Sequence, residues 1–343
     1  MAHPVRTALV GFGYAGRTFH APLIAACPDM ELEAVVSRQA EAVAEAWPQT
    51  RVLAAFEDVL ADPAIDLIVL ATPNDLHAGQ AEAALKAGKA VVVDKPFTLT
   101  ADQARRLATL AEERGQLLSV FHNRRWDADF LTLQALIAED RLGPVVRFES
   151  SFNRWRPEVR DRWREGDGPG AGIWYDLGPH LIDQALVLFG RPLGVTCDLA
   201  ILRSGGRATD YAHAVLRYAD KRVILHADMV TPAPEARFAV HGARASWLKA
   251  GLDVQEDQLK SGLAPDAAGW GVDPRPGVVL DGATGASDAV KGPPGDYPAY
   301  YAAVARAIRE RAPNPVPPGE AVAVMEVLEA GLLSAARRAE VLL

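Results

Sequence analysis

Five short and nearly unbroken apolar runs punctuate the first 120 residues: Thr7 to Val10, Leu32 to Val36, Leu67 to Ala71, Ala90 to Val93 and Leu117 to Phe121, with alanine-rich helical patterns between them. A strand that reads as continuous Val, Ile, Leu and Ala is covered on both faces, the situation of a strand inside a parallel sheet. Parallel neighbours need crossover connections, and these are right-handed, so the alternation predicts a doubly wound α/β sheet.

Beyond Arg125 the pattern changes. Asp129 to Glu139 has helical spacing, and Val145 to Phe152, Val195 to Leu202, Tyr211 to Tyr218, Arg222 to Met229 and Arg237 to Val240 read as longer strands. Several alternate polar and apolar residues, which predicts a large, mainly antiparallel sheet with one packed and one open face. Residues 262–295 hold 13 glycines and prolines among 34 positions and are expected to form a long loop. Helical spacing returns over Tyr297 to Glu310 and Glu320 to Leu342. The chain therefore reads as an α/β domain, residues 1–121, followed by an α+β domain, residues 122–343.

With 343 residues, 49% apolar and 23% charged, such a chain buries a core without staples. Lys and Arg number 36 against 44 acids, a net charge of −8, so neither nucleic acid nor an anionic membrane surface is an expected partner. No run reaches the length of a membrane span, and Met1 to Arg6 lead straight into an apolar strand; a cytoplasmic location is the expectation. Cys27 and Cys197 stand far apart and outside any Cys/His cluster, so neither a disulfide framework nor a metal site is predicted.

Directly after the first strand stands Gly11-Phe12-Gly13-Tyr14-Ala15-Gly16, followed by helical spacing through Phe19, Leu23 and Ile24. In a strand-turn-helix unit this spacing is a dinucleotide-binding fingerprint. The first glycine permits the tight turn, the second lets the backbone approach a pyrophosphate, and the third allows helix and strand to pack closely. At the end of the second strand lies Ser37-Arg38 rather than the acid that binds ribose hydroxyls in NAD-specific proteins. A guanidinium beside a hydroxyl binds a 2′-phosphate, whereas a carboxylate repels it, so NADP is expected in preference to NAD. The competing reading of Arg38 is a solvated surface side chain. Asp94-Lys95-Pro96 follows Val91-Val92-Val93, which puts a lysine at the carboxyl end of a buried parallel strand, where ligand crevices form.

Together, Gly11-x-Gly13-x-x-Gly16, Ala71-Thr72-Pro73-Asn74-x-x-His77, Asp94-Lys95-Pro96 and Tyr175-Asp176-Leu177-Gly178-x-His180 give the chain, over essentially its whole length, a resemblance to the Gfo/Idh/MocA oxidoreductases. His122 to Asp127 and Gly172 to Asp176 look most similar to the NADP-dependent scyllo-inositol dehydrogenase-like members. The resemblance implies an N-terminal Rossmann domain and a C-terminal α+β domain for substrate binding and oligomerisation. It implies a cofactor lying against Gly11, Phe12, Gly13, Tyr14, Gly16, Ser37, Arg38, Thr72, Pro73, Asn74, His77, Asp94 and Lys95. The family commonly has Glu-Lys-Pro where this chain has Asp94-Lys95-Pro96, a carboxylate one methylene shorter. His77 has a second reading, as a residue that caps or packs a helix.

Asp176 and His180 are four residues apart and share a face if the segment is helical, with Pro179 expected in the first turn. The resemblance makes His180 the base that takes a hydroxyl proton, Lys95 the cation that steadies the reacting oxygen, and Asp176 the acceptor for a neighbouring hydroxyl. Spacing alone leaves the alternative that Asp176 is a helix N-cap and His180 a core residue. Arg124, Arg154 and Tyr175 are expected to touch substrate. The function implied is NADP-dependent hydride transfer between the nicotinamide and a secondary alcohol or ketone of a cyclic polyol or sugar. Two rivals stay open: a non-catalytic dinucleotide-binding regulator, and a glycoside hydrolase that recycles a tightly held NAD. The open sheet face predicts a homodimer or homotetramer.

Overall fold

The computed structural model of the protein describes residues 3–232 and 236–343. Its elements begin with β1 (Val5–Val10), α1 (Ala21–Ala25), β2 (Met30–Val36), α2 (Ala40–Ala46), β3 (Arg51–Leu53), α3 (Phe56–Ala61), β4 (Leu67–Leu70), α4 (Asn74–Lys86), β5 (Ala90–Val93), α5 (Ala101–Arg114) and β6 (Leu118–Val120). There follow α6 (Ala128–Ala138), β7 (Val145–Asn153), α7 (Ile173–Phe189), β8 (Gly194–Ala200), β9 (Tyr211–Arg217), β10 (Arg222–Asp228), β11 (Ala236–Gly242) and β12 (Ala245–Ala250). The last are α8 (Gln255–Lys260), β13 (Gly277–Asp281), β14 (Ser287–Val290), α9 (Pro298–Glu310), α10 (Pro318–Arg337) and β15 (Val341–Leu342).

The first of two compact units comprises Met1–Trp126, Gln255–Gly271 and Asp296–Val322. Its six strands run in the order β3-β2-β1-β4-β5-β6, and every pairing is parallel. β4 and β5 are buried along their whole length, as their unbroken apolar sequences require. Strand order reverses between β1 and β4, which opens a crevice outside the carboxyl ends of the strands. The loops after β1, β2, β4 and β5 all emerge at that edge. β3 is absent from the sequence reading because it is three residues long, partly exposed and at the edge of the sheet.

The second unit comprises Asp127–Val254, Val272–Gly295 and Ala323–Leu343. Its nine strands are ordered β14-β13-β12-β11-β7-β10-β9-β8-β15; β7 and β10 are parallel and the other pairs antiparallel. α7 packs on β7, β9 and β10. Alternation decides which side faces it: Ala212, Ala214 and Leu216 of β9 and Val223, Leu225 and Ala227 of β10 are buried, while the residues between them are at least partly open.

Two expectations are corrected here. Residues 262–295 are not one loop, since β13 and β14 form a hairpin inside them; Asp281 accepts N–H bonds from Ala283 and Thr284 at 3.0 and 2.8 Å and fixes the turn. Glycine and proline density marks the approaches to that hairpin and masks a strand of five residues. The final helix stops at Arg337, and Val341–Leu342 instead pair with β8. Among the described residues no helix is long and apolar enough to cross a membrane.

Candidate active site

In the first unit, Gly11 leaves β1 with φ of +100°, a conformation that disfavours any side chain. A Cβ on it would stand 2.6 Å from the Ala71 carbonyl oxygen, so the loops after β1 and β4 meet backbone to backbone. Gly16 lies in the first turn of the helical stretch leading to α1, and a Cβ there would stand 2.1 Å from the Gly11 carbonyl oxygen. Gly13 differs: a Cβ on it would meet nothing within 4 Å. Two of the glycines are thus required by the protein's own packing. The third leaves bare backbone facing open space before a helix, which fits the pyrophosphate of a dinucleotide. At the end of β2, the Ser37 hydroxyl accepts the Gln39 N–H at 2.9 Å and Arg38 is exposed, with no acid among the adjoining positions 35–40 of the sequence.

Thr72 donates its hydroxyl to Gln80 Oε1 at 2.7 Å, Pro73 is exposed, and Asn74 is buried as the first residue of α4. The buried His77 ring lies with Nε2 3.0 Å from the Thr72 carbonyl oxygen and Nδ1 2.8 Å from that of Pro96. Both ring nitrogens are directed at backbone, so His77 ties the Thr-Pro-Asn segment to Asp94-Lys95-Pro96. Asp94 is buried and accepts the Lys95 N–H at 2.8 Å. His20 reaches it at 3.9 Å while its other ring nitrogen lies 2.6 Å from the Tyr301 hydroxyl. Burial pushes the Asp94 carboxyl up, but attraction to His20, Lys95 and His77 outweighs it and holds the carboxyl down at about 2.

A second charged knot surrounds the glycine loop. The half-exposed Tyr14 donates its hydroxyl to Glu256 Oε1 at 2.7 Å, Arg124 Nη2 donates to Glu256 Oε2 at 3.1 Å, and Lys260 approaches at 3.1 Å. Against burial, which raises it, Arg124, Tyr14 and Lys260 bring the Glu256 carboxyl to about 2. Burial and the same hydrogen bond push the Tyr14 phenol up to about 12. Arg124, read from the sequence as a substrate contact, is buried in the first unit with its charge on Glu256. Sequence reasoning missed both Glu256 and His20. Glu256 is 242 positions from Tyr14, and nothing local in α8 marks it.

Asp94 and Glu256 make this unit acid-sensitive. Carboxyls held below their ordinary range, about 4, stabilise the fold fully above that range, and the contribution is lost as pH falls through about 2. Urea midpoints are therefore expected to fall steadily from pH 5 to pH 2.5, with a shallower dependence in Glu256→Gln. An identical slope in parent and variant excludes Glu256 as a source.

In the second unit, α7 begins at Ile173, earlier than the sequence suggests. Gly172, with φ of +90°, turns the chain: its N–H donates to the Arg164 carbonyl at 2.9 Å, and the Ile173 N–H donates to that of Thr209 at 2.7 Å. The N-cap is consequently Gly172 and not Asp176, and Pro179 lies inside the helix rather than in its first turn. Asp176 and His180 do fall one helical turn apart, His180 being 5% exposed. Gly178 serves packing. A Cβ on it would come 3.0 Å from the Trp174 ring, and one on Gly331 would come 2.8 Å from it, while Trp174 donates its indole N–H to the Leu328 carbonyl at 3.0 Å. Arg154 and Arg164 approach the two Asp176 oxygens at 3.8 and 3.5 Å. Tyr175, half-buried on the same turn, has its phenol pushed up by burial and by Glu329.

Residues 5–122 match the family described as "Oxidoreductase family, NAD-binding Rossmann fold", and residues 134–343 match its companion, "Oxidoreductase family, C-terminal alpha/beta domain". The chain belongs to the Gfo/Idh/MocA oxidoreductases. Within this family it is 53% identical over 341 residues to the Escherichia coli oxidoreductase YdgJ, covering 99% of both chains. It is 37% identical to IolW of Bacillus subtilis, a scyllo-inositol 2-dehydrogenase (NADP(+)), over 99% of this chain and 96% of that one. The solved oxidoreductase YPO2259 of Yersinia pestis superposes with a TM-score of 0.96 at 50% identity, covering 100% of this chain and 98% of the other. As a Gfo/Idh/MocA oxidoreductase with an NAD-binding Rossmann domain, the protein is a dehydrogenase or reductase. Among its described residues no group of three or more His, Cys, Asp or Glu side chains is placed to hold a metal ion.

Proposed function

We propose that this Gfo/Idh/MocA protein is an NADP-dependent oxidoreductase acting on a secondary alcohol, or the matching ketone, of a cyclic polyol or sugar. The observation that carries the reading is the carboxylate–imidazole pair Asp176 and His180 on one turn of α7, in a chain that also retains Lys95 at the carboxyl end of its parallel sheet. The relative IolW, named for scyllo-inositol and NADP(+), supports the substrate class.

A bound dinucleotide supplies the acceptor for the hydride that leaves the substrate carbon with its electron pair. The backbone at Gly13 and the helix after it hold the pyrophosphate, and Ser37 and Arg38 bind the 2′-phosphate. His180, as neutral imidazole, takes the hydroxyl proton, and Lys95 hydrogen-bonds the oxygen as its negative charge grows. Asp176 accepts a hydrogen bond from a neighbouring hydroxyl and orients the ring. His77 and Asp94 fix the backbone that carries Lys95.

Cofactor choice is read at Arg38. Catalytic efficiency with NADP is expected to exceed that with NAD by at least about tenfold, and Arg38→Asp is expected to reverse the order, since a carboxylate there repels the 2′-phosphate and accepts the ribose hydroxyls. Equal efficiencies in the parent enzyme exclude the assignment. The rival of a non-catalytic regulator is tested by the same assay with a panel of inositols and hexoses together with their phosphates and uronates: tight NADP binding without turnover of any member selects it.

A further inference from the structure

We propose that Arg154, Arg156 and Arg164 form an oxyanion subsite beside Asp176, so that the substrate carries a phosphate or carboxylate group in addition to its reacting alcohol. The proposal rests on the oxidoreductase reading above and names the substrate class that reading leaves open.

The backbone that presents these arginines is fixed. The Arg154 N–H donates to the Asp228 carbonyl at 3.0 Å and that of Arg156 to Met229 at 2.9 Å, with Trp155 bridging Val230 between them. In extended chain, residues two apart share a side, so Arg154 and Arg156 face one way and the exposed Trp155 the other. Arg154 lies 4.9 Å from the centre of the Phe152 ring, which stiffens it. Arg164 sits on the short turn Trp163–Glu165, its carbonyl holding Gly172 and hence the start of α7, its guanidinium over the Trp163 ring at 4.5 Å.

Ion pairing separates Arg156 from its neighbours. Arg162 is paired with Glu165 at 2.7 Å, and the buried Arg203 with Glu165 at 3.0 Å and Asp210 at 2.9 Å. Arg154 and Arg164 both approach the Asp176 carboxylate, and among the described residues Arg156 has no carboxylate within ion-pair distance. Burial, then the like charges of Arg154, Arg162 and Arg160, lower the Arg156 guanidinium to about 10, with Asp176 opposing. A half-buried guanidinium crowded by cations is an electrostatic demand that no carboxylate among the described residues meets at ion-pair distance. Phosphate and carboxylate meet it through paired charge-assisted hydrogen bonds, and a neutral polyol does not.

The test compares matched substrates: myo-inositol against an inositol monophosphate, and glucose against glucose 6-phosphate and glucuronate, each with NADP. The charged member is expected to have at least a tenfold higher kcat/KM, and Arg156→Gln is expected to shrink that ratio at least tenfold. The phosphate and glucuronate arms tell which oxyanion is preferred. Neutral substrates turned over as well as charged ones by the parent enzyme overturn the proposal and leave the oxidoreductase reading standing. Independently of turnover, inorganic phosphate is titrated into parent and variant by calorimetry, with a tenfold loss of affinity expected in Arg156→Gln; equal affinities overturn the proposal. Should no panel member react while this phosphate difference appears, the function assigned above fails and the subsite stands. Because Arg156 is repelled rather than paired, Arg156→Gln is expected to melt at or above the parent's temperature, which excludes misfolding as the source of its losses.

Discussion

Replacing His180 with alanine is expected to lower turnover by about two to four orders of magnitude, and Lys95→Ala by at least two, the range general-base and electrostatic contributions cover. Dinucleotide affinity should stay within about threefold of the parent's in His180→Ala, because the glycine cradle and the proposed contacts of Ser37 and Arg38 belong to the first unit and His180 to the second. The same separation makes the result interpretable. Cofactor binding followed by nicotinamide fluorescence reports on one unit, and steady-state rates on the chemistry. His180 is buried on α7, so each variant's melting temperature is measured alongside; a folded, cofactor-binding His180→Ala enzyme with undiminished turnover removes His180 from the mechanism. An unchanged kcat in Lys95→Ala removes Lys95 in the same way.

Gly16→Ala is expected to abolish dinucleotide binding and to destabilise the first unit. The added Cβ would lie 2.1 Å from the Gly11 carbonyl oxygen, and Gly11 itself backs onto the Ala71 carbonyl at a would-be 2.6 Å, so one piece of backbone has to move against another. Overpacking of this kind costs about 1–3 kcal/mol when side chains give way, and here no flexible side chain stands between the two. Gly13→Ala is the informative partner. Nothing in the protein meets its Cβ, so it should fold with the parent's melting temperature and still lose at least about tenfold in dinucleotide affinity. Parent-like affinity in Gly13→Ala means that the pyrophosphate does not lie against this loop.

The parallel sheet is legible in the sequence because burial on both faces writes itself into every position of β4 and β5 and into most positions of β1, β2 and β6. The exceptions are physical. β3 is too short and too exposed to carry a pattern, and the β13–β14 hairpin is short and flanked by glycine and proline. The start of α7 escapes the sequence because no sequence signal shows that Gly172 takes a positive φ, the conformation that turns the chain into the helix. Local motifs bring out Gly11, Gly16, Asp94, Asp176 and His180, each set by neighbours within a few residues. Partnerships across the chain are invisible: Tyr14 with Glu256, His20 with Asp94, and Arg154 with Asp176 arise only when distant segments meet, and no residue type at either end announces the other.

The return of the chain to its first sheet bears on how the protein is made. Phe121 packs 5.0 and 5.8 Å from the rings of Tyr300 and Tyr301, and Tyr301 also holds His20. A nascent polypeptide that has emerged only through β6 lacks these lids, together with the α8 carboxylate that neutralises Arg124. The cradle for the dinucleotide is encoded in the opening residues yet stays unfinished until synthesis is nearly over. Amputating the last 50 residues would remove those tyrosines and leave a wet, sticky seam where the finished enzyme has a dry one.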